Sequence, residues 1–275
     1  MIRSAVKASF IGLFFFSCAG APEAVVHISD DPRPVQVKQE PRHLWVLTGT
    51  ETRFPDGQLI GSTISQYDST GRLSVEETRD ARSRLTGRRQ YEYSADGAQN
   101  VSVYSGTGDL VSRIRREARN ELVVFEEVLD EAGRRQSSST YQYDTRGNRL
   151  VWEAFSGSGM IRTVYRYENG LPVEIQILDG NSKLIKRYER SYSTAGDLEQ
   201  ETEFDASAVV QRRTAYLYKD GVLIRESVHL ASGAVRSAIE YRYDSNGNVS
   251  DMRFLDRNGR ISEIRSQTWQ LLVLP

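Results

Sequence analysis

The residues that most often carry enzyme chemistry are sparse in this chain. It has 3 histidines, and no HExxH, GxSxG or phosphate-loop pattern occurs. His27 and His43 lie in or beside a proline-rich segment, and His229 stands alone further along the chain. A zinc site or a histidine-based catalytic group needs partner residues at fixed spacing. The sequence therefore predicts no catalytic residue, no metal site and no cofactor.

Aspartates recur in short motifs that look faintly like calcium loops. Residues 244–247 read Asp-Ser-Asn-Gly, and residues 256–259 read Asp-Arg-Asn-Gly. An EF-hand needs a frame of about 12 residues that ends in a bidentate glutamate, and neither motif has one. A turn explains the same residue types, because a first-position Asp or Ser accepts a backbone hydrogen bond and a fourth-position glycine takes positive φ. We interpret these motifs as turns.

Tyrosine is the other residue type that could bind a ligand, because it offers a flat apolar face and a hydroxyl. Several tyrosines lie two residues apart, which places both members of a pair on one face of a strand. The pairs are Tyr91 and Tyr93, Tyr141 and Tyr143, Tyr165 and Tyr167, and Tyr241 and Tyr243. Aligned strands would stack them into an aromatic ladder. We favour cross-strand packing as its role, and a groove for a sugar or peptide is the functional alternative.

The tyrosines belong to a repeat with a period of about 25 residues. Its members each precede a turn, and the missing copy falls near Ala118; they are Tyr67, Tyr93, Tyr143, Tyr167, Tyr192, Tyr218 and Tyr243. A second turn falls half a period away. Turns about 12 or 13 residues apart, with no helical period between them, predict an all-β fold of about 16 to 18 strands.

This fold is a long antiparallel up-and-down meander of repeated two-hairpin units. Open twisted sheets rarely exceed about ten strands, so we expect the sheet to be coiled or closed into a barrel or shell. Along each strand an apolar face should oppose a solvated face. Trp152 is predicted to be core, and Trp269 with residues 271–274 is predicted to form a closing strand over an open end.

The unit Tyr-x-Tyr-Asp-x-x-Gly, clearest at residues 141–150 and again at 241–249, resembles the YD repeat of RHS-type proteins. In that family the hairpins spiral into a hollow β shell around a toxin domain. The resemblance implies the hairpin architecture. The period here is longer than in that family, and the chain is too short to enclose a toxin.

The N-terminus predicts export and a lipid anchor. Arg3 and Lys7 accompany a short apolar run, which is far below the roughly 20 residues of a spanning helix. Ser17 and Cys18 follow this run and resemble the lipobox of bacterial lipoproteins, which implies acylation of Cys18. Cleavage after residue 21 is the alternative. We divide the chain into a signal peptide (1–17), a Pro-rich tether (18–42) and one β-repeat domain (43–275).

The resemblance to lipoproteins also implies a location. Ala19 and Gly20 follow the cysteine where inner-membrane lipoproteins carry aspartate. The chain is therefore expected in the cell envelope, anchored in a lipid bilayer, with the outer membrane favoured. Its net charge of −1 gives no bulk electrostatic case for nucleic acid.

Three functions stay open from the sequence. The first is a non-catalytic envelope lipoprotein with a structural role or a binding role for a protein or glycan. The second is an integral outer-membrane β-barrel, although acidic and basic residues fill both faces of strands such as the one containing residues 199–203. The third is a glycan-active enzyme that uses paired carboxylates.

Overall fold

A computed structural model describes residues 42–95 and 97–274 of the chain. All regular elements in these residues are β-strands, so the described residues contain no helix that could cross a membrane. The predicted signal peptide, Cys18, His27 and nearly all of the tether lie outside the described residues. The strands are β1 Arg42–Arg53, β2 Leu59–Tyr67, β3 Leu73–Asp80, β4 Leu85–Tyr93, β5 Gln99–Ser105, β6 Leu110–Arg119, β7 Leu122–Asp130, β8 Arg135–Tyr143, β9 Arg149–Ser156, β10 Gly159–Glu168, β11 Leu171–Asp179, β12 Leu184–Tyr192, β13 Leu198–Asp205, β14 Val210–Lys219, β15 Val222–Leu230, β16 Val235–Tyr243, β17 Val249–Leu255 and β18 Ile261–Leu274.

The strands form one 18-stranded sheet in which each strand pairs antiparallel with the next. The sheet closes because β18 also pairs with β1, from Arg42 opposite Leu274 to Arg53 opposite Ile264. The predicted all-β meander is confirmed, and of the two expected forms, coiled or closed, the sheet takes the closed one. The C-terminal strand β18 closes the sheet as expected: Trp269 and residues 271–274 lie edge to edge with β1, and this end of the seam extends past β17 and β2.

The register of the strands sets the dimensions of the barrel. A line drawn through successive register partners around the ring returns to β1 about 18 residues from its starting point. The shear number of the barrel is therefore about equal to the number of strands. That ratio corresponds to a strand tilt of about 36°. With strands about 4.8 Å apart, a circular ring of this perimeter has a radius of about 17 Å. Barrels of 16–18 strands are generally too wide for side chains to fill.

The turns show why short polar residues and glycine recur. In the β2–β3 turn, the Gly71 amide donates to the Asp68 carbonyl at 3.0 Å, and the Asp68 carboxylate accepts from the amides of Thr70 and Arg72 at 2.9 and 3.0 Å. Gly71 has a φ of 80°, which glycine adopts without steric cost. Gly147 and Gly247 occupy the same position with φ of 83°. The predicted turns at these positions are confirmed.

Some turns depart from the glycine rule. Ser83, Ser182 and Ala208 take φ of 61°, 62° and 63° at the position where other turns have glycine. The β6–β7 turn is a two-residue turn in which Asn120 and Glu121 both have positive φ. The residue types in these turns do not by themselves favour positive φ, so the sequence signal for a turn is weak. The pairing of the flanking strands imposes the conformation.

The two faces of the sheet differ in exposure. On β6, Ser112, Ile114 and Arg116 are half-buried, whereas Val111 and Arg113 on the other face are exposed. The more buried face is the concave one, because side chains converge inside a closed ring. We call it the inner face and the other the outer face.

The expected contrast between an apolar face and a solvated face is wrong for most of the ring. Cross-strand ion pairs occur on the inner face, such as Arg190 with Glu201 at 2.8 Å, and on the outer face, such as Arg225 with Glu240 at 3.1 Å. A cluster of buried apolar residues lies on the inner face of β9, β10, β11 and β12; it contains Trp152, Tyr165, Ile175, Ile177 and Tyr188. Trp152 is therefore core, as predicted, with 8% of its surface exposed.

Candidate functional site on the inner face

The inner face collects every tyrosine of the predicted ladder. The pairs on β4, β8, β10 and β16 all lie on this face, as the register around the ring shows. They form two levels at the end of the barrel where the even-numbered strands finish. The rim ring consists of Tyr67, Tyr93, Tyr143, Tyr167, Tyr192, Tyr218, Tyr243 and Trp269. The second ring lies two residues deeper and consists of Tyr91, Tyr141, Tyr165, Tyr216 and Tyr241.

The rim ring closes the open ends of hairpins. The Tyr143 hydroxyl donates to the carbonyl of Val123, 20 residues earlier on the neighbouring strand, at 2.7 Å. Trp269 makes the equivalent bond through Nε1, to the Val249 carbonyl at 2.7 Å. The same bond is made by Tyr67, Tyr93, Tyr167, Tyr192 and Tyr243. These hydroxyls are engaged by the backbone, so the rim tyrosines have a structural role that accounts for their period.

The missing copy and the last copy of the repeat now have structural explanations. Ala118 lies on β6 at the level of the rim ring, where a methyl group cannot make the bond to the neighbouring strand. Trp269 occupies the same level on β18, and its spacing of 20 residues from Val249 matches the tyrosine bonds. The sequence contained this signal, but a tryptophan does not match a tyrosine-based repeat.

The second ring includes an aromatic patch. The rings of Tyr141 and Trp152 are stacked, with centroids 6.5 Å apart and planes 10° from parallel. The Arg149 guanidinium lies 5.2 Å from the Tyr141 ring centre and 6.0 Å from that of Tyr165. Burial raises the pKa of Tyr141 to about 12, so its hydroxyl keeps its proton at neutral pH. Trp152 and Tyr165 are each only 8% exposed and belong to the core, so the half-buried Tyr141 beside Arg149 is the part of this cluster that a sugar or a peptide side chain could contact.

Carboxylates lie further round the same face. Glu226 approaches the Tyr241 hydroxyl at 3.4 Å, and burial raises the pKa of the Glu226 carboxyl, with the negative charge of Glu201 adding to the effect. Glu201 is paired with Arg190 at 2.8 Å. This arrangement can hold a polar or cationic group. A glycosidase needs two carboxyl groups that are free to act as acid and base, and here Glu201 is held by Arg190. The enzyme hypothesis stays a prediction.

The two histidines that the structure describes do not form a site. His229 lies in β15 with Nδ1 3.2 Å from the Gly233 carbonyl of the following turn, and His43 lies near the start of β1. Within residues 42–95 and 97–274, no group of His, Cys, Asp and Glu is arranged to hold a metal ion.

The outer face is charged at the middle of most strands. Arg115 pairs with Glu127 at 3.7 Å, and Arg162 pairs with Glu153 at 3.6 Å. The register places one charged residue after another around the outside of the ring at mid-strand: Arg88, Arg115, Glu127, Glu153, Arg162, Arg187, Arg213, Arg225, Glu240 and Arg253. This band carries charges of both signs.

Comparison with known proteins gives only distant similarities. No protein family and no curated protein matches the chain. Among solved structures, a porin-like protein from Bacteroides uniformis has 13% identity and a TM-score of 0.47 over 82% of this chain and 98% of that chain. A porin-like protein from Bacteroides vulgatus has 11% identity and a TM-score of 0.38 over the same shares. The Photorhabdus luminescens Tc holotoxin pore has 13% identity and a TM-score of 0.16 over 74% of this chain and 14% of that chain. Similarity at this level carries no functional conclusion.

Proposed function

We propose that the protein is a non-catalytic envelope lipoprotein whose barrel has water on both sides and binds a protein or glycan at its inner face. One observation carries this proposal: both faces of the closed sheet bear charged side chains at mid-strand. Acylated Cys18 would hold the barrel at the bilayer surface, where the outer membrane is favoured. The YD-repeat resemblance supports the hairpin architecture and adds nothing about the ligand.

The energetic argument concerns the outer face. An arginine or lysine on the lipid face of a barrel costs roughly 2–4 kcal/mol at the bilayer midplane and about 0–1 kcal/mol near the interface. Arg213 is the fourth of the 10 residues of β14, and Arg253 is the fifth of the 7 residues of β17, so neither lies at a strand end. Summed around the ring, such costs exceed the 5–15 kcal/mol that typically separates a folded domain from its unfolded chain. Ion pairs reduce the cost without removing it.

The binding role rests on the inner face. The half-buried Tyr141 lies beside the Arg149 guanidinium. Ion pairs on the same face include Arg116 with Glu126 and Arg190 with Glu201. A barrel of this perimeter leaves room for water and for an extended ligand. The chemistry fits an oligosaccharide, whose rings stack on aromatic side chains and whose hydroxyls bond to charged ones.

Fractionation of cells tests the anchor. In the wild-type protein we expect mass spectrometry to find acyl chains on Cys18 and the protein to sediment with membranes. The Cys18→Ala variant, exported by a cleavable signal, should be soluble without detergent. A Cys18→Ala protein that stays in the membrane and resists extraction at high pH would contradict the proposal.

A second candidate, the integral outer-membrane barrel, is supported by a different observation. The closed ring of 18 strands is the architecture that this candidate requires. Strands of about nine residues tilted by about 36° give a wall roughly 25 Å high, equal to the apolar band of outer-membrane barrels. Membrane retention of the Cys18→Ala variant, together with a folded form in detergent that migrates differently from the boiled form, would favour this candidate.

A further inference from the structure

The two terminal strands extend beyond the ring. β1 pairs with β2 only from Gly49 onward, and β18 pairs with β17 only up to Ser266. Residues 43–47 and 269–273 pair with each other alone. They form a two-stranded projection at the end of the barrel that carries the rim ring. We call residues 43–47 and 269–274 the apolar ribbon.

The composition of the ribbon differs from the rest of the chain. It contains no Asp, Glu, Lys or Arg, whereas these residues make up 27% of the sequence. Val273 is 65% exposed, Leu44 is 40% exposed and Leu271 is 39% exposed. Among the large apolar residues that the structure describes, Val273 has the highest exposed fraction. An apolar projection of this kind is unexpected on a barrel whose walls are charged.

One side of the ribbon is seated on the barrel and the other is free. Leu44 and Leu274 lie over the β2–β3 turn, so close that a Cβ on Gly71 would lie 2.9 Å from Leu44 and 3.1 Å from Leu274. Trp45, Leu271 and Val273 project from the opposite side, because Trp45 pairs with Leu271 and residue 273 follows two positions later. The seated side fixes the ribbon, and the free side continues the inner face of β18 past Trp269 as an apolar surface beyond the rim.

The tether leaves the barrel at the ribbon. Roughly 24 residues separate Cys18 from β1, and a Pro-rich segment of that length reaches at most about 75 Å when extended. If Cys18 is acylated, the bilayer is therefore within reach of the ribbon, and the ribbon is the part of the barrel at which the tether begins. A Trp-containing apolar edge next to an acyl anchor suits the membrane interface.

We infer that the free side of the apolar ribbon contacts the surface of the bilayer that holds the Cys18 acyl chains. The inference rests on the proposed anchor. The contact orients the barrel with its rim ring towards the membrane and its opposite end away from it. Val273, Leu271 and Trp45 enter the interfacial region, while the charged walls stay in water.

Site-specific fluorescence on the acylated full-length chain tests the contact. In that chain the Cys18 thiol is consumed by the lipid, so Val273→Cys provides the only free thiol for an environment-sensitive dye. Ser158→Cys, in the β9–β10 turn at the opposite end, is the matched control. On vesicles of phosphatidylethanolamine and phosphatidylglycerol, we expect the dye at residue 273 to shift to the blue and brighten several-fold, and the dye at residue 158 to report water. Adding Leu271→Asp should return the residue-273 signal towards water.

Each other outcome overturns the inference. A water-like signal from residue 273 on a chain that co-floats with vesicles shows that the anchor works without the ribbon. A chain that does not float with the vesicles also counts against the contact. The mass of the peptide that contains Cys18 then shows whether the residue was acylated and so whether the anchor itself has failed. A blue shift without vesicles that grows with protein concentration would assign the ribbon to a second copy of the chain.

Discussion

At the scale of single residues, the repeated tyrosines join strand ends and do not line up for chemistry. The hydroxyl of a rim tyrosine donates a hydrogen bond to a backbone carbonyl near the start of the neighbouring strand, at the open end of the hairpin. Because the bond spans 20 residues in nearly every hairpin, the tyrosine spacing follows from hairpin length. Sequence reasoning predicted the ladder and its shared face. It could not separate rim tyrosines from second-ring tyrosines, since both lie on one face and differ only in what their hydroxyls reach.

Removing one rim hydroxyl should weaken the barrel measurably. Tyr143→Phe deletes the 2.7 Å bond to the Val123 carbonyl and leaves that carbonyl without this partner. A hydrogen bond of this kind contributes about 1 kcal/mol, which corresponds to a fall in Tm of about 2–4 °C for a domain of this size. Tyr104→Phe, on the outer face, is the control. Equal melting of the two variants would refute the structural role.

The turn aspartates predict a dependence on acid. The Thr70 hydroxyl and the nearby amides hold the pKa of Asp68 at about 2, and the side chains of Arg84 and Asn148 lower the pKa of Asp80 and Asp144. A pKa lowered by folding stabilises the folded state above the unfolded pKa, and this contribution is lost as the pH falls through the folded pKa. We expect Tm to fall between about pH 4 and about pH 2.

The corresponding variants isolate that contribution. Asn at residues 68, 80 and 144 keeps a side-chain oxygen that can accept the turn hydrogen bonds but removes the titrating group. The triple Asp→Asn variant should show a shallower loss of Tm over the acid range than the wild-type protein. Parallel curves for the two proteins would mean that other carboxylates dominate the acid response.

At the scale of the element, a hairpin is specified mainly by its turn. Most turns could be located from sequence because Asp or Ser and glycine act within five residues, independently of the rest of the fold. Ser182 and Ala208 could not be located in this way: their positive φ is imposed by the two flanking strands, whose pairing is a long-range property. The alternation of residues predicted the strands, and the charges on both faces were visible in strands such as the one containing residues 199–203.

A glycine substitution tests the turn mechanism directly. Gly147 has a φ of 83°, and a Cβ there would meet only the Leu122 side chain at 3.7 Å, so backbone strain is the main cost of Gly147→Ala. Placing an L-residue in the left-handed region costs roughly 1–2 kcal/mol. Gly157→Ala is the matched control, because Gly157 does not have positive φ and has open space around it. Denaturant unfolding should show a loss of stability for Gly147→Ala that is clearly larger than for Gly157→Ala.

At the scale of the whole molecule, the number of strands and the need to coil followed from the repeat, and closure between β1 and β18 did not. Near-identical hairpins are equally compatible with a spiral that never meets itself. The closed ring differs from an open spiral in the pairing of its terminal strands. β1 and β18 pair from Arg42 opposite Leu274 to Arg53 opposite Ile264, which is longer than either strand's pairing with its other neighbour. Which face lies inside is a second global property, since it depends on the direction in which the sheet curves.

Closure can be tested by linking the two terminal strands covalently. Thr50 and Gln267 are register partners across the seam and both face inward. In a Cys18→Ser background, Thr50→Cys with Gln267→Cys should form an intramolecular link on oxidation. The link would constrain an unfolded loop of more than 200 residues, and chain-entropy arguments give a stabilisation of about 5 kcal/mol when the geometry is unstrained. Thr50→Cys with Ser139→Cys, which joins β1 to the distant β8, should give no such link. If the seam pair instead yields disulfide-linked dimers, the sheet is open in solution and its two edges pair between copies.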